Sequence, residues 1–186
     1  MQPVFTLQYA EYKVANKLNE LFHECSVFVP ASSQEKGIDL LLYNRNDHVN
    51  QVITIQVKSS RVYFGKKTNT FQNYLWLNRF DIQQNADWYL IAGVYPRFPS
   101  GKAVSEVNCN SINWETLILA FTNREMTELL ASIRQKRNPA KPDIMFGFGF
   151  NTPDHIYLTR GHPEPDDMTQ FLLERRINDM LKMLFK

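Results

Sequence analysis

The sequence predicts one α/β domain built on a mixed central sheet. Three observations carry that expectation. Apolar residues recur with helical period near the N-terminus, two aliphatic runs, Ile38–Tyr43 and Val52–Val57, flank a polar connection, and Trp88–Tyr95 is nearly continuously apolar. The first is the pattern of a helix lying on a core. The second is that of a β-hairpin with a longer loop, and the third that of a strand buried on both faces. At 186 residues the chain has the size of a single domain that can enclose a core.

Composition narrows the function classes. No apolar run is long enough to span a bilayer, and Met1–Gln8 lacks the basic start and apolar centre of a signal peptide. Cys25 and Cys109 are single and far apart. They read as reduced, buried thiols of a cytoplasmic protein, not as a disulfide framework, a zinc site or a redox pair. His23, His48, His155 and His162 show no metal-ligand spacing. There is no nucleophile elbow and no glycine-rich phosphate loop. The net charge of +2 decides little, because a nucleic-acid enzyme needs a basic face and not a basic total.

Taken in order, Thr6 is the expected N-cap of a helix from Leu7 to about Glu24, with the stripe Leu7, Ala10, Val14, Leu18, Leu21, Phe22 and Cys25. Glu11 falls inside that stripe, where a carboxylate calls for a reason. Ser26–Val29 is a short strand stopped by Pro30. The hairpin follows. A helix is expected at Trp76–Asn85 and the buried strand at Trp88–Tyr95. Beyond it, Thr116–Phe121 reads as a strand, and Thr122 with Glu125 as a capping box for a helix to about Lys136. Ile144, Phe146, Phe148 and Phe150 alternate as a strand that a turn at Asn151–Asp154 joins to His155–Arg160. Asp166 or Asp167 is the expected cap of a last helix running to Lys186.

The hairpin sets up chemistry. If Tyr43 faces Val52, then Leu42 faces Ile53, Leu40 faces Ile55 and Ile38 faces Val57. One face is then wholly aliphatic, which favours this register over a one-residue slip. The same register sets Asp39 opposite Gln56, and Lys58 shares the face of Gln56. A carboxylate and an amide oxygen are hard ligands suited to a magnesium-type cation, and a lysine beside them can orient water or offset charge on a phosphate. Past Lys58, the segment Ser59–Phe80 holds Arg61, Lys66, Lys67 and Arg79, no acid, and six interleaved aromatics. Arg61, Lys66 and Lys67 are expected to contact phosphates. The aromatics are expected to be mostly core.

Gly37-Ile38-Asp39 followed by Gln56-Val57-Lys58 resembles the signature of the restriction-endonuclease-like, PD-(D/E)XK, nuclease superfamily. Ile38 replaces the proline and Gln56 the second acid, a Gln-x-Lys form similar to that of Mrr-like restriction endonucleases. The resemblance implies an α-β-β-β-α-β core over about residues 7–95, with an α+β extension over about 96–186. It implies Mg²⁺- or Mn²⁺-dependent cleavage of DNA, duplex DNA above all, and, by analogy with related enzymes that cut both strands, a homodimer. Asp39, Gln56, Lys58 and Glu11 would be catalytic, and Asp39, Gln56, the Val57 carbonyl and Glu11 would hold the metal. Two alternatives stay open: an inactive nuclease-fold module that binds nucleic acid, and a protein-interaction module that holds a partner through the aromatic segment.

Overall fold

A computed structural model describes residues 9–30, 37–44, 51–65, 69–78, 81–97, 113–133, 145–160 and 164–185. The elements in chain order are helix α1 (Tyr9–Leu21) and strands β1 (Cys25–Phe28), β2 (Leu40–Asn44), β3 (Val52–Phe64), β4 (Asn73–Asn78), β5 (Trp88–Arg97) and β6 (Asn113–Thr122). Helix α2 (Asn123–Ser132), strands β7 (Met145–Phe150), β8 (Ile156–Arg160) and β9 (Asp166–Asp167), a 3-10 turn (Thr169–Phe171) and helix α3 (Leu173–Leu184) complete them.

The fold is mixed α/β with a largely antiparallel sheet, and β3 links its two halves. On one side the order is β1-β2-β3-β5-β6, with β3 and β5 parallel and the other pairs antiparallel. On the other side β3 continues through β4, β7, β8 and β9, all antiparallel. α1 and α3 cover one face of the first half. There Val14, Leu18, Met180 and Leu184 pack with Leu40, Leu42, Ile53, Ile55, Trp88 and Leu90. The second half folds over the opposite face, where Tyr89, Ile91 and Phe121 meet Leu75, Phe146, Phe148, Leu158 and Met126 of α2.

The hairpin register is the expected one: Tyr43 pairs Val52, Leu42 pairs Ile53 and Leu40 pairs Ile55. The four aliphatic side chains are fully buried, each stabilising the fold by roughly 1.5–3 kcal/mol. β2 begins only at Leu40, however, so the strand pairing stops before Ile38 and Val57. Three expectations need correction. Trp76–Asn85 is not a helix: Asn73–Asn78 is strand β4, because Leu75 and Leu77 alternate inward against Tyr74 and Trp76. No described helix therefore separates β3 from β5. β3 also runs seven residues past Val57, to Phe64. Asp166 and Asp167 form β9 and do not cap α3. Asp167 accepts from Thr169 N at 2.8 Å and so starts the 3-10 turn.

The capping box at Thr122 and Glu125 is present. Glu125 also takes a forked pair of bonds from Arg176, at 2.9 and 2.8 Å, and so ties α2 to α3. The expected caps and loops at Thr6, Lys66–Lys67 and His48 lie outside the described residues, as does Cys109. Cys25 is buried. No described helix is long and apolar enough to cross a membrane.

Candidate active site

Strand β3 changes partner halfway along. β5 occupies one edge from Ile55 to Arg61. The other edge pairs with β2 through Ile55 and with β4 from Val62. Between those points it has no strand partner among the described residues. Asp39 sits at the lower end of this open edge. Its N–H donates to Ile55 O at 2.9 Å, the last hairpin-like bond. Its Oδ2 then accepts from Val57 N at 2.7 Å, so a carboxylate serves the donor that a continued β2 would have served.

Gly37 makes this possible. It has φ +88° and packs against Gln83 and Asn85, where a Cβ would collide with the Gln83 side chain. A left-handed turn here lets the chain enter β2 at the angle that brings Asp39 to Val57. The opposite wall is held by Asp87, whose Oδ2 accepts from Thr54 N and Thr54 Oγ1, both at 2.8 Å.

Val57 turns its side chain into the aliphatic layer, so Gln56 and Lys58 face the other way. The N–H and C=O of one strand residue point to the same side, so the Val57 carbonyl lies on the edge that carries Asp39. Gln56 is 5% exposed, and its Oε1 has no hydrogen-bond partner among the described residues. Lys58 is half-buried. Burial pushes the Asp39 carboxyl above the ordinary carboxylate range, against the Val57 N–H and the Lys58 ammonium, which pull it down. A half-buried carboxylate that resists ionisation and a buried amide oxygen with no donor are two groups that a hard cation would relieve. In that respect the residues fit Mg²⁺ or Mn²⁺. Among the described residues no three His, Cys, Asp or Glu side chains gather into a metal site.

The structure thus brings together Asp39, the Gln56–Lys58 segment and the Val57 backbone. Glu11 is half-buried in the first turn of α1, in the layer over the aliphatic face, so it does not share the face of Gln56 and Lys58. Arg61 is exposed farther along β3, with its guanidinium 4.6 Å from the centre of the Tyr63 ring. Lys66 and Lys67 lie outside the described residues. The aromatics divide: Phe71 is buried, whereas Tyr63 and Phe64 are exposed. Sequence reasoning passed over Gly37, for which the left-handed turn is visible only in the fold. Compared with family models, curated proteins and solved structures, the chain matches none.

Proposed function

We propose that the chain is a Mg²⁺- or Mn²⁺-dependent DNA endonuclease of the restriction-endonuclease-like type, acting at the open edge of β3. The observation that carries this reading is the Asp39–Val57 bond, which sets a carboxylate beside the Gln56-Val57-Lys58 segment where β3 lacks a strand partner. The run α1-β1-β2-β3, followed by β5 parallel to β3, supports it as well. β4 stands where the second helix of that core is expected.

Asp39, Gln56 Oε1 and the Val57 carbonyl would hold the cation; Glu11, on the helix over the opposite face, is not counted among the ligands. When bound, the cation supplies Lewis-acid polarisation of the phosphate and acidifies a water. Lys58 orients the attacking water and offsets the negative charge that grows on the phosphate oxygens. Its half-burial strengthens that effect relative to a fully hydrated ammonium. Arg61, with Lys66 and Lys67, binds backbone phosphate. A homodimer that cuts both strands belongs to the same proposal by analogy.

The test is a plasmid-nicking assay of Asp39→Ala and Lys58→Ala in Mg²⁺, with circular dichroism on the same samples. Each variant is expected to stay folded and to lose activity by about 100-fold or more. Full activity in both overturns the assignment. The neutral, buried Gln56 favours one second reading, an inactive module that binds DNA. On that reading wild type binds DNA with a salt-dependent affinity and never nicks it.

A further inference from the structure

The second half of the sheet has an outward face of aromatic rings. Tyr63 pairs Tyr74 across β3 and β4, while Tyr74 pairs Gly149 and Trp76 pairs Gly147 across β4 and β7. Val62, Leu75, Leu77, Phe146 and Phe148 turn into the core, so Tyr63, Tyr74 and Trp76 turn outward. The Tyr74 and Trp76 rings are nearly parallel, 4° apart in plane with centroids at 5.4 Å. Gly147 lets Trp76 lie down over β7, because a Cβ there would collide with the indole. Tyr63 is 40% exposed.

Charge points to the occupant. Arg61 shares this face and stacks on Tyr63. Asp167, which the register carries to the same face at β9, is turned back onto Thr169 N. The backbone under the platform reaches β3 near the candidate edge, although Tyr63 and Arg61 share the face of Val57 and Lys58 turns to the opposite one. Trp76 N donates to Ser60 Oγ at 3.3 Å, and Ser60 is about 7 Å along β3 from Lys58. Flat rings flanked by a cation are what a strand with unstacked bases requires.

We propose that Tyr63, Tyr74 and Trp76 stack the bases of an unpaired nucleic-acid strand. The preferred substrate then carries a single-stranded segment, as a flap, overhang or bubble does. The substrate assignment rests on the nuclease reading; the stacking surface does not.

Binding is measured by fluorescence anisotropy in EDTA, where no cleavage occurs. The probes are labelled oligo(dT), oligo(U), an abasic strand of the same length, a blunt duplex and a proline-rich peptide. Wild type is expected to bind oligo(dT) at least about 10-fold more tightly than the abasic strand, since each stacked base is worth about 5- to 150-fold. Trp76→Leu and Tyr74→Leu are each expected to lose about 10-fold on oligo(dT) and little on the abasic strand. Tighter binding of either oligo(dT) or oligo(U) supports the platform and names the sugar it takes. Equal affinity of wild type for oligo(dT) and the abasic strand overturns the proposal without any variant. A preference for the blunt duplex overturns it too, as does binding of the proline-rich peptide in place of both oligonucleotides. Separately, nicking that survives Asp39→Ala and Lys58→Ala defeats the nuclease reading and leaves the stacking result standing.

Discussion

Asp39 does two things at once. Its backbone closes the hairpin at Ile55, and its carboxylate caps Val57. The second role comes at a cost, since burial holds the acid above its ordinary range more strongly than Val57 and Lys58 pull it down. A carboxyl raised in the folded state contributes stability that is fully present below its unfolded value and is lost as pH rises through the folded value. In EDTA, Asp39→Asn removes this loss while keeping an oxygen for Val57 N. Urea midpoints of the two proteins should therefore agree below the ordinary carboxylate value of 3.8. Above it they should diverge, with the variant the more stable at neutral pH and inactive in Mg²⁺. A wild type more stable than Asp39→Asn at neutral pH would show that the Val57 bond outweighs burial. Asp39 and Lys58 were legible in the sequence because a hairpin register alone puts them near each other. The burial of Gln56 was not. It arises only in the folded chain, where Gln56 pairs Tyr89 of β5, a segment distant in sequence.

The same lesson holds for whole elements. The β2–β3 register could be read because one face is entirely aliphatic. The capping box could be read because its partners are three residues apart. β4 was misread although its signal was present: Leu75 and Leu77 alternate with Tyr74 and Trp76, but the run is short and flanked by polar, helix-compatible residues. The continuation of β3 was hidden because Ser59, Ser60 and Arg61 interrupt the aliphatic run before the strand-favouring Val62, Tyr63 and Phe64, and β5 and β4 carry the pairing across that gap. The turn before β2 is the element on which the candidate site hangs. Gly37→Ala forces a left-handed conformation on a residue with a Cβ, at about 1–2 kcal/mol, and pushes on Gln83 besides. It should lower the thermal midpoint by several degrees, about 2–4 °C per kcal/mol for a chain of this size. It should also reduce Mg²⁺-dependent nicking by more than the unfolded fraction explains, because Asp39 leaves Val57. Unchanged nicking per folded molecule would show that the turn supports the fold and not the site.

Because β3 belongs to both halves of the sheet, the open edge lies where the halves diverge, and what binds there reports on the whole fold. Asp39 and Gln56 each hold an oxygen in a costly place: one is half-buried and resists ionisation, the other is buried without a donor among the described residues. A ligand that satisfies both is bound by the native chain and not by the unfolded one, so it must raise stability by mass action. With only one charged ligand on the face of Gln56 and Lys58, Mn²⁺ alone should bind weakly, and a non-cleavable oligonucleotide should add the missing negative charge. Scanning calorimetry of wild type is then expected to show a small rise in midpoint with Mn²⁺, a small rise with oligonucleotide, and more than their sum with both. At about 100 times the dissociation constant the gain approaches 2.7 kcal/mol, roughly 5–10 °C for a domain of this size. Gln56→Glu supplies the missing charge in the protein itself. It should raise the effect of Mn²⁺ alone, and in EDTA it should lower the midpoint, since two carboxylates then share one edge. Asp39→Asn should abolish the Mn²⁺ effect and leave the oligonucleotide effect. If Mn²⁺ shifts wild type and Asp39→Asn equally, the cation binds elsewhere and the edge of β3 is not a metal site.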